Sequence, residues 1–323
     1  MNFYNENRYK AMKKTMETMT VPESGTDEPI ETDENALFTF AAWGDPQIFH
    51  GTETRIRNFA AACKDIANMP GKLDAIAILG DVAEMGAECE YKVAAEILNS
   101  VSDKFGDFLC VTGNHDIRRR NYTRQRGVFR DFVLSVKGGI FENHSGGYYF
   151  SKDYPHCRFI LMGSDTNSFE GTYINSAQRK WLEKEIAEAE KQGKTAFVLN
   201  HQTLKWTNGL PVTWGGRGKW RGSIGIQSDK IREIFERHSN VVFITGHLHY
   251  GFSIYNYEDC GCFKALSVPT VGVVNHGAVS NDSQGYIVSL YEDKITIRAR
   301  LHAEGRWLDK NLPGAYIECK INK

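Results

Sequence analysis

From Leu37 onward, short apolar runs alternate with helix-length amphipathic segments. The runs at 37–43, 73–79, 107–112, 157–163, 195–200 and 241–245 are rich in Val, Ile, Leu and Phe. Such continuous runs predict strands buried on both faces. Segments 52–68, 87–103, 123–137, 175–192 and 228–238 separate them and predict helices, with Trp181, Leu182 and Ile186 at helical spacing as ordinary core. The tail changes style. GFSIYNYE (251–258), GYIVSLYEDKITIRARLH (285–302) and AYIECKI (315–321) read as meandering strands with no helix between them. A layered α/β/β/α sandwich accommodates both styles.

The first 36 residues stand apart. Tyr9, Met12, Met16 and Met19 recur at helical spacing, so 6–19 predicts an amphipathic helix that packs on the main domain or, alternatively, serves as a partner-binding arm. VPESGTDEPIETDENA (21–36) is acidic and lacks any basic residue, which marks a linker. The expected organisation is an extension and acidic linker at 1–36 and one domain at 37–323.

Composition narrows the function classes. Lys and Arg number 39 against 40 for Asp and Glu, a net charge of −1. Such a balance exerts no global pull on membranes and disfavours nucleic acid as a partner. Seven cysteines, an odd number scattered at 63, 89, 110, 157, 260, 262 and 319, suit reduced thiols better than a disulfide framework. No run is long enough to span a membrane, and the first residues lack the apolar core of a signal peptide. A cytoplasmic location is the expectation.

The chemistry lies at the strand ends. Strand 37–43 runs into Asp45 and Gln47, strand 73–79 into Asp81, and strand 107–112 into Asn114, His115 and Asp116. Strand 195–200 is followed by His201, and strand 241–245 by His247 and His249. Loops beyond the carboxyl ends of such strands converge on one edge of the sheet. Carboxylate and amide oxygens mixed with imidazole nitrogens suit Mn, Fe, Zn or Mg. Seven candidate ligands, with one carboxylate bridging, provide about four for each of two ions.

The ordered motifs GDPQ (44–47), GDVAE (80–84), GNHD (113–116), NH (200–201) and GHLH (246–249) resemble the calcineurin-like metallophosphoesterase family over roughly residues 38–250. The resemblance implies a four-layer αββα sandwich of two mixed sheets. It also implies that Asp45, Gln47, Asp81 and His249 hold a first metal. Asp81 would bridge to a second, completed by Asn114, His201 and His247. His115 would be the general acid or oxyanion stabiliser, with Asp116 orienting its ring. The activity implied is phosphoester hydrolysis by attack of a metal-bridging hydroxide. One position departs from the family's usual Asp-x-His: Gln47 offers an amide oxygen where histidine offers nitrogen. That hardens the first site toward Mn²⁺ or Mg²⁺ over Fe or Zn. The Asp-x-Gln variant also occurs in branches resembling manganese-dependent ADP-ribose/CDP-alcohol pyrophosphatases, which favours Mn²⁺.

For the substrate, the expectation is a small-molecule phosphodiester or pyrophosphate of nucleotide-like build. The alternatives are a phosphomonoester or phosphoprotein, or a non-catalytic scaffold with this fold. Arg118 and Arg119, followed by Arg120, Arg124 and Arg126, either clamp extra phosphate or form a solvated basic helix start. The Gly-rich stretch 205–225 reads as a substrate-facing lid. Its Trp206, Trp214 and Trp220, beside Arg217 and Arg221, would stack a flat group or form a local core. Arg118, Arg119, Trp214 and Arg217 are therefore the substrate-binding candidates. His50 is a loop histidine near Gln47, Asp165 a structural acid near the cleft, and His144, His156, His238, His276 and His302 have no partner motif.

Overall fold

The computed structural model describes residues 3–20, 28–119, 121–142, 147–214, 222–277 and 282–321. Its first half contains α1 (Phe3–Thr18), β1 (Phe38–Trp43), α2 (Glu53–Ala67), β2 (Leu73–Ile78), α3 (Glu88–Asn99), β3 (Phe105–Cys110), α4 (Asn114–Ile117), α5 (Tyr122–Ser135), β4 (Phe150–Asp153) and β5 (Cys157–Leu161). Then come α6 (Ser176–Lys191), β6 (Thr195–Leu199), α7 (Ser228–Phe235), β7 (Val241–Thr245), β8 (Tyr257–Asp259), β9 (Lys264–Ser267), β10 (Gln284–Leu290), β11 (Lys294–Leu301), β12 (Arg306–Trp307) and β13 (Tyr316–Lys320).

The strands form two mixed sheets. One runs β12-β11-β10-β1-β2-β3, with β13 also on β11; the other runs β4-β5-β6-β7-β9-β8. In the first, β1, β2 and β3 are parallel and β10 joins β1 antiparallel. In the second, β5, β6, β7 and β9 are parallel.

Strand β1 shows why four layers form. Phe38, Phe40 and Ala42 point into the core between the sheets, while Ala41 and Trp43 face α2 and α3. With a side-chain period of two, a wholly buried strand needs cover on both sides. Phe40 meets Phe159 and Phe197 of the second sheet edge-on, at centroid distances of 5.0 and 5.2 Å. Beyond that sheet, Ile160, Val198 and Phe243 pack on Trp181, Leu182, Ile186 and Ile231 of α6 and α7.

The predicted helix near the N-terminus packs on the domain. Met12 is buried in the helix-side core, and Tyr9 donates its hydroxyl to Glu96 of α3 at 2.5 Å. The linker's described part is pinned too: the Glu28 carbonyl accepts from Arg300 at 2.7 Å, and Asp33 from Tyr291 at 3.1 Å. Residues 251–256, expected to be extended, instead turn. Asn256 accepts from the Ser253 N–H at 2.7 Å and donates to the Ser267 carbonyl at 2.9 Å, so side-chain bonds displace a ladder there. Edge strand β4 and strand β9, both short, were outside the expected set.

Candidate metal centre

The polar strand ends meet where the two sheets adjoin. Asp45, Gln47, Asp81, His247 and His249 all have left-handed backbones, with φ of 52°, 40°, 51°, 70° and 50°. Non-glycine residues adopt that region rarely, and such strained positions cluster at functional sites. The glycines before the ligands serve close approach. A Cβ on Gly113 would lie 2.0 Å from Asp81 Oδ1, and Gly80, at φ 87°, backs onto both Gly113 and His201.

Hydrogen bonds fix each ligand. Asp45 Oδ2 accepts from the His247 N–H at 3.0 Å, while its Oδ1 lies 3.0 Å from His249 Nε2. Asp81 Oδ1 accepts from the His115 N–H at 2.7 Å, and its Oδ2 lies 3.1 Å from His201 Nε2. Gln47 is buried, and its N–H donates to the Asp81 carbonyl at 2.8 Å, which seats both on one wall. Asn114 donates to the Phe169 carbonyl at 3.1 Å and accepts from Gln202 at 3.4 Å.

His201 sets the electrostatics. Its Nδ1 lies 2.5 Å from the Leu79 carbonyl, which can only accept, so Nδ1 carries a proton and Nε2 faces the site. That Nε2 is also 3.1 Å from His247 Nδ1. Burial opposes both charged forms, yet Asp81 and His201 hold each other ionised. Asp81 falls far below the usual carboxylate range, and His201 is pushed up to about 9 by Asp81 and then Asp45. Burial, then the charge on His201, holds His247 neutral, well below an ordinary imidazole.

These residues fit divalent cations. Ligand atoms of Asp81, His201 and His247 all lie within 4.8 Å of one another. His247 Nε2 is buried without a partner, an expensive state for a polar atom serving structure alone. Asp45 and His249 adjoin through the 3.8 Å approach of Asp45 Oδ1 to His201 Nε2. Side-chain contacts thus link Asp45, Asp81, His201, His247 and His249, while Gln47 adjoins them through its backbone and Asn114 through the loop that holds His115.

His115 stands at the rim, and the role expected for Asp116 is corrected. Asp116 accepts from the Gly113, Val82 and Ala83 N–H groups at 2.8, 3.4 and 3.1 Å and from Tyr91 at 2.9 Å. It braces the loops of Asp81 and Asn114 from below. Burial, then the Asp81 charge, pushes its carboxyl up to about 6. The His115 ring is held by Glu84: Nδ1 lies 3.0 Å from the Glu84 carbonyl and 3.2 Å from its Oε1. Glu84 itself is anchored by Arg55 at 2.6 Å. Sequence reasoning missed this residue although it closes the GDVAE motif.

The substrate candidates separate. Arg118 is mostly buried, 2.9 Å from His115 Nδ1, with Glu84 at 3.9 Å and Glu170 at 3.6 Å, so it is committed within the protein. Arg119 is exposed. Arg124 faces Glu88 at 3.7 Å, and Arg126 bonds the Gly147 carbonyl at 3.1 Å. Trp214 stacks on His247 at 4.5 Å and 20°, covering a ligand with one face of its indole. Arg217, with Arg120, Trp220 and Arg221, lies outside the described residues. Asp165 proves structural, accepting from Asn175 at 2.8 Å and Gln178 at 2.9 Å. Gln202, which donates to Asn114 and to the Glu170 carbonyl at 2.8 Å, carried no sequence signal beyond following NH.

A two-sheet α/β sandwich whose strand ends gather acids, amides and histidines defines a class of metal-dependent hydrolase. The calcineurin-like phosphoesterase family model matches residues 38–251, and the chain belongs to that family. It is accordingly a metal-dependent phosphohydrolase binding divalent ions. Among solved structures, it is similar to a dimetal phosphatase from Danio rerio, with TM-score 0.62 and 13% identity, over 89% of this chain and 100% of that one. It is also similar to the purple acid phosphatase PPD1 from yellow lupin (Lupinus luteus) seeds, with TM-score 0.59 and 11% identity, over 87% of this chain and 54% of that one. These likenesses concern the fold. No curated protein matches the chain in sequence. Among the described residues, no helix is long and apolar enough to cross a membrane.

Proposed function

We propose that the chain hydrolyses a small-molecule phosphodiester, using Mn²⁺. The observation that carries this reading is the company His115 keeps. Glu84 lies against its ring, and Arg118, 2.9 Å from its Nδ1, reaches both Glu84 and Glu170. Carboxylates so close to the leaving-group side penalise a dianionic monoester more than a monoanionic diester. A pyrophosphate would need a second cationic subsite, and among the described residues Arg118, beside His115, is already paired with Glu84 and Glu170.

When bound, two divalent ions supply positive charge to phosphoryl oxygens and acidify water for attack near neutral pH. Asp45 and His249 would hold one ion and His201 and His247 the other, with Asp81 between and the Gln47 and Asn114 oxygens completing the sets. Gln47 supplies a hard oxygen, which supports Mn²⁺. His115 Nδ1 is enclosed by Glu84 and Arg118, so Nε2 is the atom available to protonate the departing oxygen. The two neighbours named as phosphatases make monoester hydrolysis the competing reading.

The test is Mn²⁺-dependent hydrolysis of bis(p-nitrophenyl) phosphate beside the monoester, with His115→Ala. The expected result is preference for the diester and a loss of roughly 10²–10⁴-fold in the variant, the range for a positioned acid. Turnover of the monoester alone would establish the competing reading instead.

A further inference from the structure

Beside Arg118 stands an aromatic ring that phosphoryl transfer itself does not require. Phe169 lies in the loop between β5 and α6 and is 71% exposed. A large apolar side chain so open to water forgoes the benefit of burial. The loop beneath it is nevertheless tied down. The Phe169 carbonyl accepts from Asn114, the Glu170 carbonyl from Gln202 at 2.8 Å, and Ser164 Oγ from the Tyr173 N–H at 3.0 Å. Phe169 is therefore held in register with the metal ligands.

The ring is supported from one side. The Arg118 guanidinium lies 5.1 Å from its centroid, and the same guanidinium is 2.9 Å from His115 Nδ1. Arg118 is itself only 8% exposed, clamped between Glu84 and Glu170. A cation fixed against one face of the ring leaves its remaining surface for a second flat group. Through the bond from Asn114, a candidate metal ligand, to its carbonyl, Phe169 is placed at the edge of the metal centre, within reach of a group leaving it.

The geometry points to Phe169, backed by Arg118, as a stacking platform for an aromatic leaving group: an aryl or nucleobase-bearing alcohol rather than an alkyl one. The inference rests on the proposed hydrolysis only in taking His115 as the leaving-group acid. Phe169 would determine specificity through contact with the substrate, with no part in the proton transfer.

The test separates ring recognition from turnover. Full-length protein loaded with Mn²⁺ is titrated calorimetrically with phenylphosphonate and with methylphosphonate, which share the anion and differ in the ring. The wild type should bind the phenyl compound at least about fivefold more tightly, the lower end for aromatic stacking. Phe169→Ala should bring the ratio near one and keep methylphosphonate affinity within about twofold; Phe169→Tyr should restore the ratio. An equal loss for both phosphonates would show a purely structural role and overturn the inference. A wild-type ratio near one, or no binding of either compound, would overturn it as well. A Phe169-dependent ratio in a protein that fails to cleave the diester would sustain the platform while defeating the proposed function.

Discussion

Two buried aspartate–histidine pairs in this molecule have similar residue types and burial but different accounts to settle. Asp65 lies 2.8 Å from His302 Nδ1, and Asp81 lies 3.1 Å from His201 Nε2. The first pair is saturated. Trp43 donates to His302 Nε2 at 2.9 Å, and Arg300 binds Asp65 through Nε and Nη2 at 2.8 and 2.7 Å. The second is open. His201 has spent its Nδ1 proton on Leu79, three ligand atoms face one another, and His247 Nε2 next to them has no partner. Burial alone does not tell a structural pair from a functional one; the hydrogen-bond account does.

The sharpest break of this comparison is Asp81→Asn. It should remove activity and weaken Mn²⁺ binding by more than the ~10–100-fold typical of a supporting residue, while the fold persists because Asn can still accept from the His115 N–H. Metal analysis after gel filtration and urea unfolding read the two effects. The equivalent cut in the saturated pair is Arg300→Met, which strands the buried Asp65 charge. It should lower unfolding free energy by about 3–5 kcal/mol and leave Mn²⁺ stoichiometry intact. Metal loss in Arg300→Met without destabilisation would erase the distinction.

Glu90 sharpens the contrast as a buried acid whose carboxylate binds the Met85 and Ala87 N–H groups at 2.9 and 3.1 Å while its Oε1 has no partner. Burial raises its pKa from 4.5 to about 7 against the pull of those two bonds. A raised carboxyl pKa contributes stability that is complete below about 4.5 and lost as pH rises through about 7. At 1.36 kcal/mol per pH unit, that span is worth about 3 kcal/mol. Urea titrations of wild type and Glu90→Gln should therefore diverge across this window, the variant gaining on the wild type. Parallel curves would show that Glu90 does not titrate there.

The motifs made the ligand set legible because a catalytic strand end needs glycine for close approach and a donor of fixed type after it. The alternation of apolar runs likewise announced the layers. Glu84 closes its motif without a legible role, since nothing in GDVAE says that its carboxylate reaches across to His115. The resemblance assigns Asp116 to the His115 ring, but the turn of α4 points it to Val82, Ala83 and Tyr91. The bends at Ser253 and Asn256 escaped because side chains there competed locally with a ladder.

The layered fold, the candidate metal-ligating residue types and the family were all readable along the chain, because local periodicity and motif spacing are properties of the sequence. Which polar groups are paired emerged from the folded arrangement alone. It committed Arg118 to Glu84 and Glu170, laid Trp214 on His247, saturated Asp65–His302 and left Asp81–His201 open, because hydrogen-bond satisfaction depends on neighbours distant in sequence.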